Sequence, residues 1–220
     1  MPVISHRPRR FRAILFDLDH VLLAREAAWR YAVEEAVISV TGRRIDARPL
    51  SAEYHLRPWR HAISVLVTDP AEAARCEALC TEMFRRSAMK KLLVHEGMGM
   101  ALDAVRAERV EVGAVSREPH TVALRQVQST GLDRFLAVLA ATPEGEPWDV
   151  AARAEQCLAF LEIEPARAAY VGADRYDLAE AERLGLAAVA AGWAGGEAAA
   201  GHRVLGRPAE LAALAAEAKS

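Results

Sequence analysis

Lysine is the scarcest charged residue in this 220-residue chain: of 28 basic side chains only Lys90, Lys91 and Lys219 are lysines. Over the long stretch between Lys91 and Lys219, every permanent positive charge must therefore come from the planar guanidinium of arginine rather than from a compact ammonium. Cysteine is equally sparse, at Cys76, Cys80 and Cys157. An odd set of three argues against a disulfide framework and fits a reducing compartment. Cys76 and Cys80 lie four apart on an expected helix face and could in principle grip a metal. No other His or Cys pair has finger-like spacing, so buried thiols are the preferred reading. Neither sign of charge prevails: 30 acidic against 28 basic residues leave a formal charge of −2, with no electrostatic case for nucleic acid or an anionic membrane as partner. The cluster Arg7, Arg9, Arg10 and Arg12 is local and reads as a solvated terminus. No apolar run is long enough to span a bilayer, and there is no signal-peptide pattern, so the expected location is cytoplasmic.

What is present is an apolar majority, 52% of residues, enough for one large domain or for a core with a smaller inserted unit. Within it, Phe16-Asp17-Leu18-Asp19-His20-Val21-Leu22 follows the apolar run Ala13-Ile14-Leu15. Two carboxylates two residues apart at the end of a buried strand repel each other, and burial raises the pKa of each. A fold tolerates the pair where a cation sits between the two or where they do chemistry. The plainer reading is a strand running into a polar turn, where Asp is common.

Short apolar runs of strand length recur at Ala13–Phe16, Val110–Val115, Phe135–Ala140, Ala168–Val171 and Ala187–Ala191. Helical patterns at Thr121–Ser129, Val150–Leu161 and Leu178–Leu184 separate the last four, and Gly185 is a plausible helix stop. Such alternation predicts an α/β fold with a parallel sheet covered by helices on both faces. Chemistry in such sheets sits at the carboxyl ends of the strands, where Asp17, Ser116 and Gly172 to Asp177 fall. The first interval breaks the rhythm, with more than ninety residues between the first two strands. Trp29, Ala32, Val33, Ala36, Val37 and Val40 follow a 3.6 period, so Ala24–Val40 reads as an amphipathic helix. Asp69-Pro70-Ala71-Glu72 is a helix start with an N-cap, Pro at the first position and a capping-box Glu, opening a helix over Ala71–Met89. Residues 24–92 are thus expected to form a helical insertion, a cap on a core of 1–23 and 93–220, emerging beside Asp19 where it could act as a lid. The Gly- and Ala-rich stretch Gly192–Gly201 reads as a loop.

In order and spacing these features resemble the haloacid dehalogenase superfamily, in its phosphoglycolate-phosphatase-like branch with a helical cap. The resemblance rests on Phe16-Asp17-Leu18-Asp19 at the first strand and the helical insertion after it. It continues through Val115-Ser116-Arg117-Glu118-Pro119, Gly131-Leu132-Asp133-Arg134-Phe135, and Gly172-Ala173-Asp174 with Asp177. The tail also fits, with Arg203-Val204-Leu205 and Pro208-Ala209-Glu210-Leu211 as a last short strand and helix. It implies a Rossmann-like core and magnesium-dependent hydrolysis of a small anionic phosphate monoester. In that chemistry Asp17 would be the nucleophile and Asp19 the general acid and base. Ser116 would hydrogen-bond a phosphoryl oxygen, and Asp17, Asp19, Asp177 and Asp174 would surround the metal. An acid at Asp19 also separates a phosphatase from a dehalogenase, because halide leaves without protonation.

Three departures stand against the family's pattern. The usual second residue of its Gly-Asp pair is Ala173, with Asp174 one position further on. The expected Gly-Lys-Pro reads Gly145-Glu146-Pro147, which reverses the charge, and Arg153 is the nearest substitute in sequence. His20 replaces a Gly and Arg117 an Asn; both are candidate substrate contacts, though His20 also fits a tolerated side chain at a turn. The cap segment His55, Arg57, Trp59, Arg60 and His61 suits an anionic substrate through Arg57 and Arg60, or else is a solvated helix junction. The alternative to an active phosphatase is an impaired relative that binds a phosphorylated ligand or a protein partner.

Overall fold

The computed structural model describes residues 11–51, 59–195 and 201–216, with no description of the side chains of residues 51, 59 and 60. The chain divides after Leu23 and again before Val94 into two compact units, one bearing the main sheet and one helical. The expected second boundary, at residues 92 and 93, lies one residue earlier.

Strand β1 (Ala13–Asp17) runs into a π-helical turn over Leu18–Leu22 and the two-residue strand β2 (Leu23–Ala24). The helical unit then contributes α1 (Glu26–Thr41), α2 (Arg48–Ser51), α3 (Trp59–Leu66) and α4 (Pro70–Arg85) before strand β3 (Leu93–Val94). Helix α4 begins as its sequence dictates: the Asp69 side chain accepts a hydrogen bond from the Glu72 N–H at 2.8 Å, and Pro70 occupies the first turn. Gly42 ends α1 with φ of 72°, the left-handed conformation that favours glycine. Within this unit Trp29, Val33, Ala36 and Val37 of α1 pack with Ile63 of α3 and with Cys76 and Cys80 of α4. Both thiols are buried, and their Sγ atoms donate to the Ala36 and Ala32 carbonyls of α1. Burial pushes the Cys80 thiol up to about 12, so it serves as packing rather than as a metal ligand.

The other unit continues with α5 (Met98–Ala107), β4 (Glu111–Ser116), α6 (His120–Thr130), β5 (Val138–Ala141) and α7 (Val150–Leu161). It closes with β6 (Ala168–Gly172), α8 (Arg175–Arg183), β7 (Ala187–Ala191), β8 (Arg203–Leu205) and α9 (Leu211–Ala216). Its six strands lie parallel in the order β5-β4-β1-β6-β7-β8. Because side chains alternate along a strand, β1 feeds two cores. Ile14 and Phe16 face a cluster with α5, α6 and α9, while Ala13 and Leu15 face another with α7 and α8. The α/β sheet with helices on both faces is thus present.

Several boundaries and one whole helix differ from the sequence reading. Helix α4, expected to reach Met89, ends at Arg85 and gives way to a 3-10 turn over Ser87–Lys91. The strand expected over Phe135–Ala140 starts at Val138, because Phe135 closes a turn onto the Leu132 carbonyl and puts its ring in the core. Helix α8 starts three residues early, at Arg175, because Asp174 caps it. Helix α5 was not expected, although Met98, Ala101, Leu102 and Val105 give it an apolar face. Gly192–Ala194 form a short 3-10 turn, and the rest of the expected loop, residues 196–200, lies outside the described residues. No helix among the described residues is long and apolar enough to cross a membrane.

The register sets the site. Asp17 pairs with Val115 and Phe16 with Val171, so Asp17, Ser116 and Gly172 emerge together at the carboxyl edge around the central strand. Gly172 has no room for a side chain, since a Cβ there would lie 2.6 Å from the Tyr170 ring.

Candidate active site

Asp17 is the last residue of β1, and its side chain is 1% exposed. Its Oδ1 accepts the N–H groups of Asp19 at 2.8 Å and His20 at 3.2 Å, which caps the π-helical turn. Its Oδ2 accepts from His20 Nδ1 at 3.0 Å. Burial alone would raise the carboxyl, but the charge and hydrogen bond of His20, helped by Arg117, outweigh it and lower the pKa below 3.8. The turn that carries His20 is itself held, because His95 Nε2 donates to the His20 carbonyl at 3.0 Å. Burial lowers the His95 pKa, consistent with a neutral ring that places its proton on that nitrogen.

Asp19 is fully buried. Ser116 Oγ, at the end of β4, donates to both of its oxygens at 3.3 and 3.2 Å. The Arg117 backbone N–H donates to Asp19 Oδ2 at 2.7 Å, and Ser116 Oγ in turn accepts from the Glu118 N–H at 3.1 Å. The end of β4 thus holds the carboxylate carried by the turn after β1, because the parallel register sets the two side by side.

On the other side of β1, Asp174 and Asp177 begin α8. Asp174 Oδ1 accepts from the N–H groups of Tyr176 at 2.7 Å and Asp177 at 3.3 Å, an N-cap arrangement. Asp177 is buried, with Oδ1 accepting from Trp148 Nε1 at 2.9 Å and Oδ2 paired with Arg117 Nη2. Burial pushes its carboxyl up to about 6 against the pull of Arg117 and Trp148, and the charges of Asp17 and Asp174 add to the rise. The Arg117 guanidinium also stacks on the Trp148 ring, 4.7 Å from its centroid.

The sequence candidates therefore separate. Asp17, Asp19, His20, Ser116, Arg117 and Asp177 come together, while Asp174 is engaged by the helix N-terminus. Arg153 is buried, but it donates to the Ala141 carbonyl at 3.1 Å and lies 3.7 Å from Glu146, and the groups that lower the Asp17 pKa are His20 and Arg117. Arg57 and His55 lie outside the described residues, as does the side chain of Arg60. Trp148 went unnoticed in the sequence, although it is an aromatic residue directly before Asp149, the cap of α7.

Magnesium finds no ready donor set in this arrangement. Ala173 offers no ligand, Asp174 is engaged by the helix cap, and both oxygens of Asp177 are hydrogen-bonded. Among the described residues no three His, Cys, Asp or Glu side chains converge to hold a metal ion.

Comparison with known proteins agrees with the fold. The model of the haloacid dehalogenase-like hydrolase family matches residues 14–191. A haloacid-dehalogenase-superfamily hydrolase of subfamily IA from Geobacter sulfurreducens superposes with a TM-score of 0.79 at 16% identity, covering 96% of this chain and 100% of that one. A putative beta-phosphoglucomutase from Thermotoga maritima gives 0.74 at 19% identity, over 94% and 99% of the two chains. A putative phosphoglycolate phosphatase from Lactobacillus plantarum gives 0.70 at 16%, over 93% and 99%. No curated protein matched the chain.

Proposed function

The chain belongs to the haloacid dehalogenase-like hydrolase family, and we propose that it hydrolyses a small phosphate monoester through an aspartyl phosphate on Asp17. The observation that carries this reading is the buried Asp17, hydrogen-bonded by His20 and two backbone N–H groups, with Asp19 two residues on, held by Ser116. A carboxylate nucleophile must be charged at working pH, and the hydrogen bonds to Asp17 favour that state.

The steps balance with the residues in hand. An Asp17 Oδ attacks phosphorus, the ester P–O bond breaks, and the leaving alkoxide takes the proton of the Asp19 carboxyl. Water then attacks the acyl phosphate while Asp19 takes its proton. The bond between phosphorus and Asp17 breaks, inorganic phosphate leaves, and Asp19 is again the acid. The Ser116 hydroxyl orients Asp19 and can donate to a phosphoryl oxygen. Magnesium, expected from the family, would supply charge neutralisation. The donor set does not fit it as the side chains stand, so no step here is routed through the metal. The three unpaired, buried thiols support a cytoplasmic setting.

The second reading, a relative that binds a phosphorylated ligand without turning it over, is favoured by Ala173 and by Glu146 in place of a lysine. Release of inorganic phosphate from a panel of phosphorylated metabolites separates the two. Wild type is expected to release phosphate and Asp17→Asn to lose that activity by about a thousandfold or more. No release from any substrate, with Asp17→Asn unchanged, leaves only the second reading.

A further inference from the structure

We propose that Arg117 is the resident cation of this site and that the site takes a phosphate group on the Arg117 guanidinium without a divalent metal. The proposal rests on the phosphatase reading and deepens it by naming what neutralises the substrate.

Arg117 reaches across the central strand. Its backbone N–H holds Asp19 from the end of β4, and its guanidinium pairs with Asp177 at the start of α8, beyond β6. One residue therefore ties together carboxylates from both flanks of β1, and its charge also acts on Asp17. Stacking on Trp148 fixes the plane of the guanidinium, and Trp148 simultaneously holds the other oxygen of Asp177. The guanidinium is thus set in orientation before any ligand arrives.

A second observation points outward from this pair. Arg117 Nε is buried and has no hydrogen-bond partner among the described residues. A buried N–H left without an acceptor costs roughly 1–3 kcal/mol. A tetrahedral dianion would satisfy it, because the guanidinium fork presents Nε–H and Nη–H together to two oxygens of one phosphate. The carboxylates that could grip a metal are meanwhile engaged, Asp177 by Arg117 and Trp148, Asp17 by His20 and two backbone N–H groups, and Asp174 through its Oδ1 by the helix N-terminus. An incoming phosphate competes with Asp177 for one guanidinium rather than joining it on a shared ion. The ligand class is a phosphate monoester dianion or inorganic phosphate, recognised through its oxygens.

Calorimetry on the full chain with inorganic phosphate tests this directly, once in EDTA and once in saturating magnesium. The expected affinities agree within about twofold, and magnesium alone gives no binding heat. Arg117→Asn removes the cation and frees Asp177, so phosphate affinity in EDTA should fall by about tenfold or more and magnesium heat should appear. Arg117→Lys keeps the charge without the fork and should bind phosphate with intermediate affinity; it carries the test if the Asn variant does not fold. Magnesium heat in wild type, phosphate binding only with magnesium, or Lys or Asn variants that bind phosphate as tightly as wild type in EDTA would each overturn the proposal. The two readings fail apart from each other. Metal-free phosphate binding without turnover leaves the role of Arg117 standing and sinks the phosphatase, whereas turnover that needs magnesium does the reverse.

Discussion

Among the described residues, every buried polar or charged side chain lies in the strand-bearing unit, at Asp17, Asp19, Ser116, Gln126, Thr142, Arg153 and Asp177. The helical unit instead buries Trp29, Val33, Ile63, Phe84 and two thiols. Burying a charge is unfavourable unless it is paired and hydrogen-bonded. The sheet edge meets that condition residue by residue, with His20 on Asp17, Ser116 on Asp19, and Arg117 with Trp148 on Asp177. Among its described residues the helical unit buries no charged side chain; it is held chiefly by apolar packing, with hydrogen bonds such as Ala47 N–H to Glu34 at its edge. The contrast supports the proposed site: a cluster of desolvated, oppositely charged groups marks a candidate for chemistry, while a seam of small and branched residues serves packing.

Three measurements break or sharpen that contrast. The largest effect is expected at Asp19→Asn, which keeps the shape and removes the proposed proton carrier. Phosphate release should fall by about 10²–10⁴-fold while thermal unfolding changes little, and unchanged turnover would remove the chemical half of the comparison. Next comes Ile63→Ala in the helical unit, where a cavity among Trp29, Val37 and Cys76 should cost roughly 2–5 kcal/mol in urea unfolding. Affinity for inorganic phosphate should stay within twofold; a loss of phosphate binding would show that the scaffold carries part of the site.

The smallest effect is a slope with pH. Asp177 has a carboxyl near 6 in the folded chain against an ordinary 3.8. The folded state therefore holds a proton that the unfolded chain has released. Its stabilising contribution is complete below 3.8 and is lost as pH rises through about 6. Asp17 runs in the opposite sense, since its lowered value stabilises above 3.8 and that contribution is lost as pH falls. Asp177→Asn should flatten the decline on the higher side, a change on the order of 2 kcal/mol in stability measured across that window. A slope that survives the substitution would assign it to another group.

Much of the fold was legible. The strands at Ala13, Ala168 and Ala187, the start of α4 at Asp69 and Pro70, and the whole of α7 follow from apolar runs, caps and period. Helix α5 escaped because Gly97 and Gly99 flank its start and weaken the local signal. The early start of α8 escaped because Asp174 looked like a ligand when its backbone neighbours made it a cap. The site was legible in part. Asp17, Asp19 and Ser116 announce themselves as polar residues at the ends of apolar runs, whereas nothing local to Arg117 or Trp148 indicates that they share Asp177.

The sequence by itself determined the alternating α/β order, the helical interruption after β1, and the carboxylates that end the central strand. These depend on period, capping and local chemistry, which are written within a few residues of each position. Only the tertiary structure decided which cation meets which carboxylate. The lysine missing near Gly145 suggested a charge deficit, and Arg153 was the nearest remedy in sequence. Parallel pairing instead brings the end of β4 beside β1 and the start of α8 beyond β6, so Arg117 spans the gap while Arg153 turns to Ala141 and Glu146. Partners sixty residues apart are chosen by register, and register exists only once the sheet has formed.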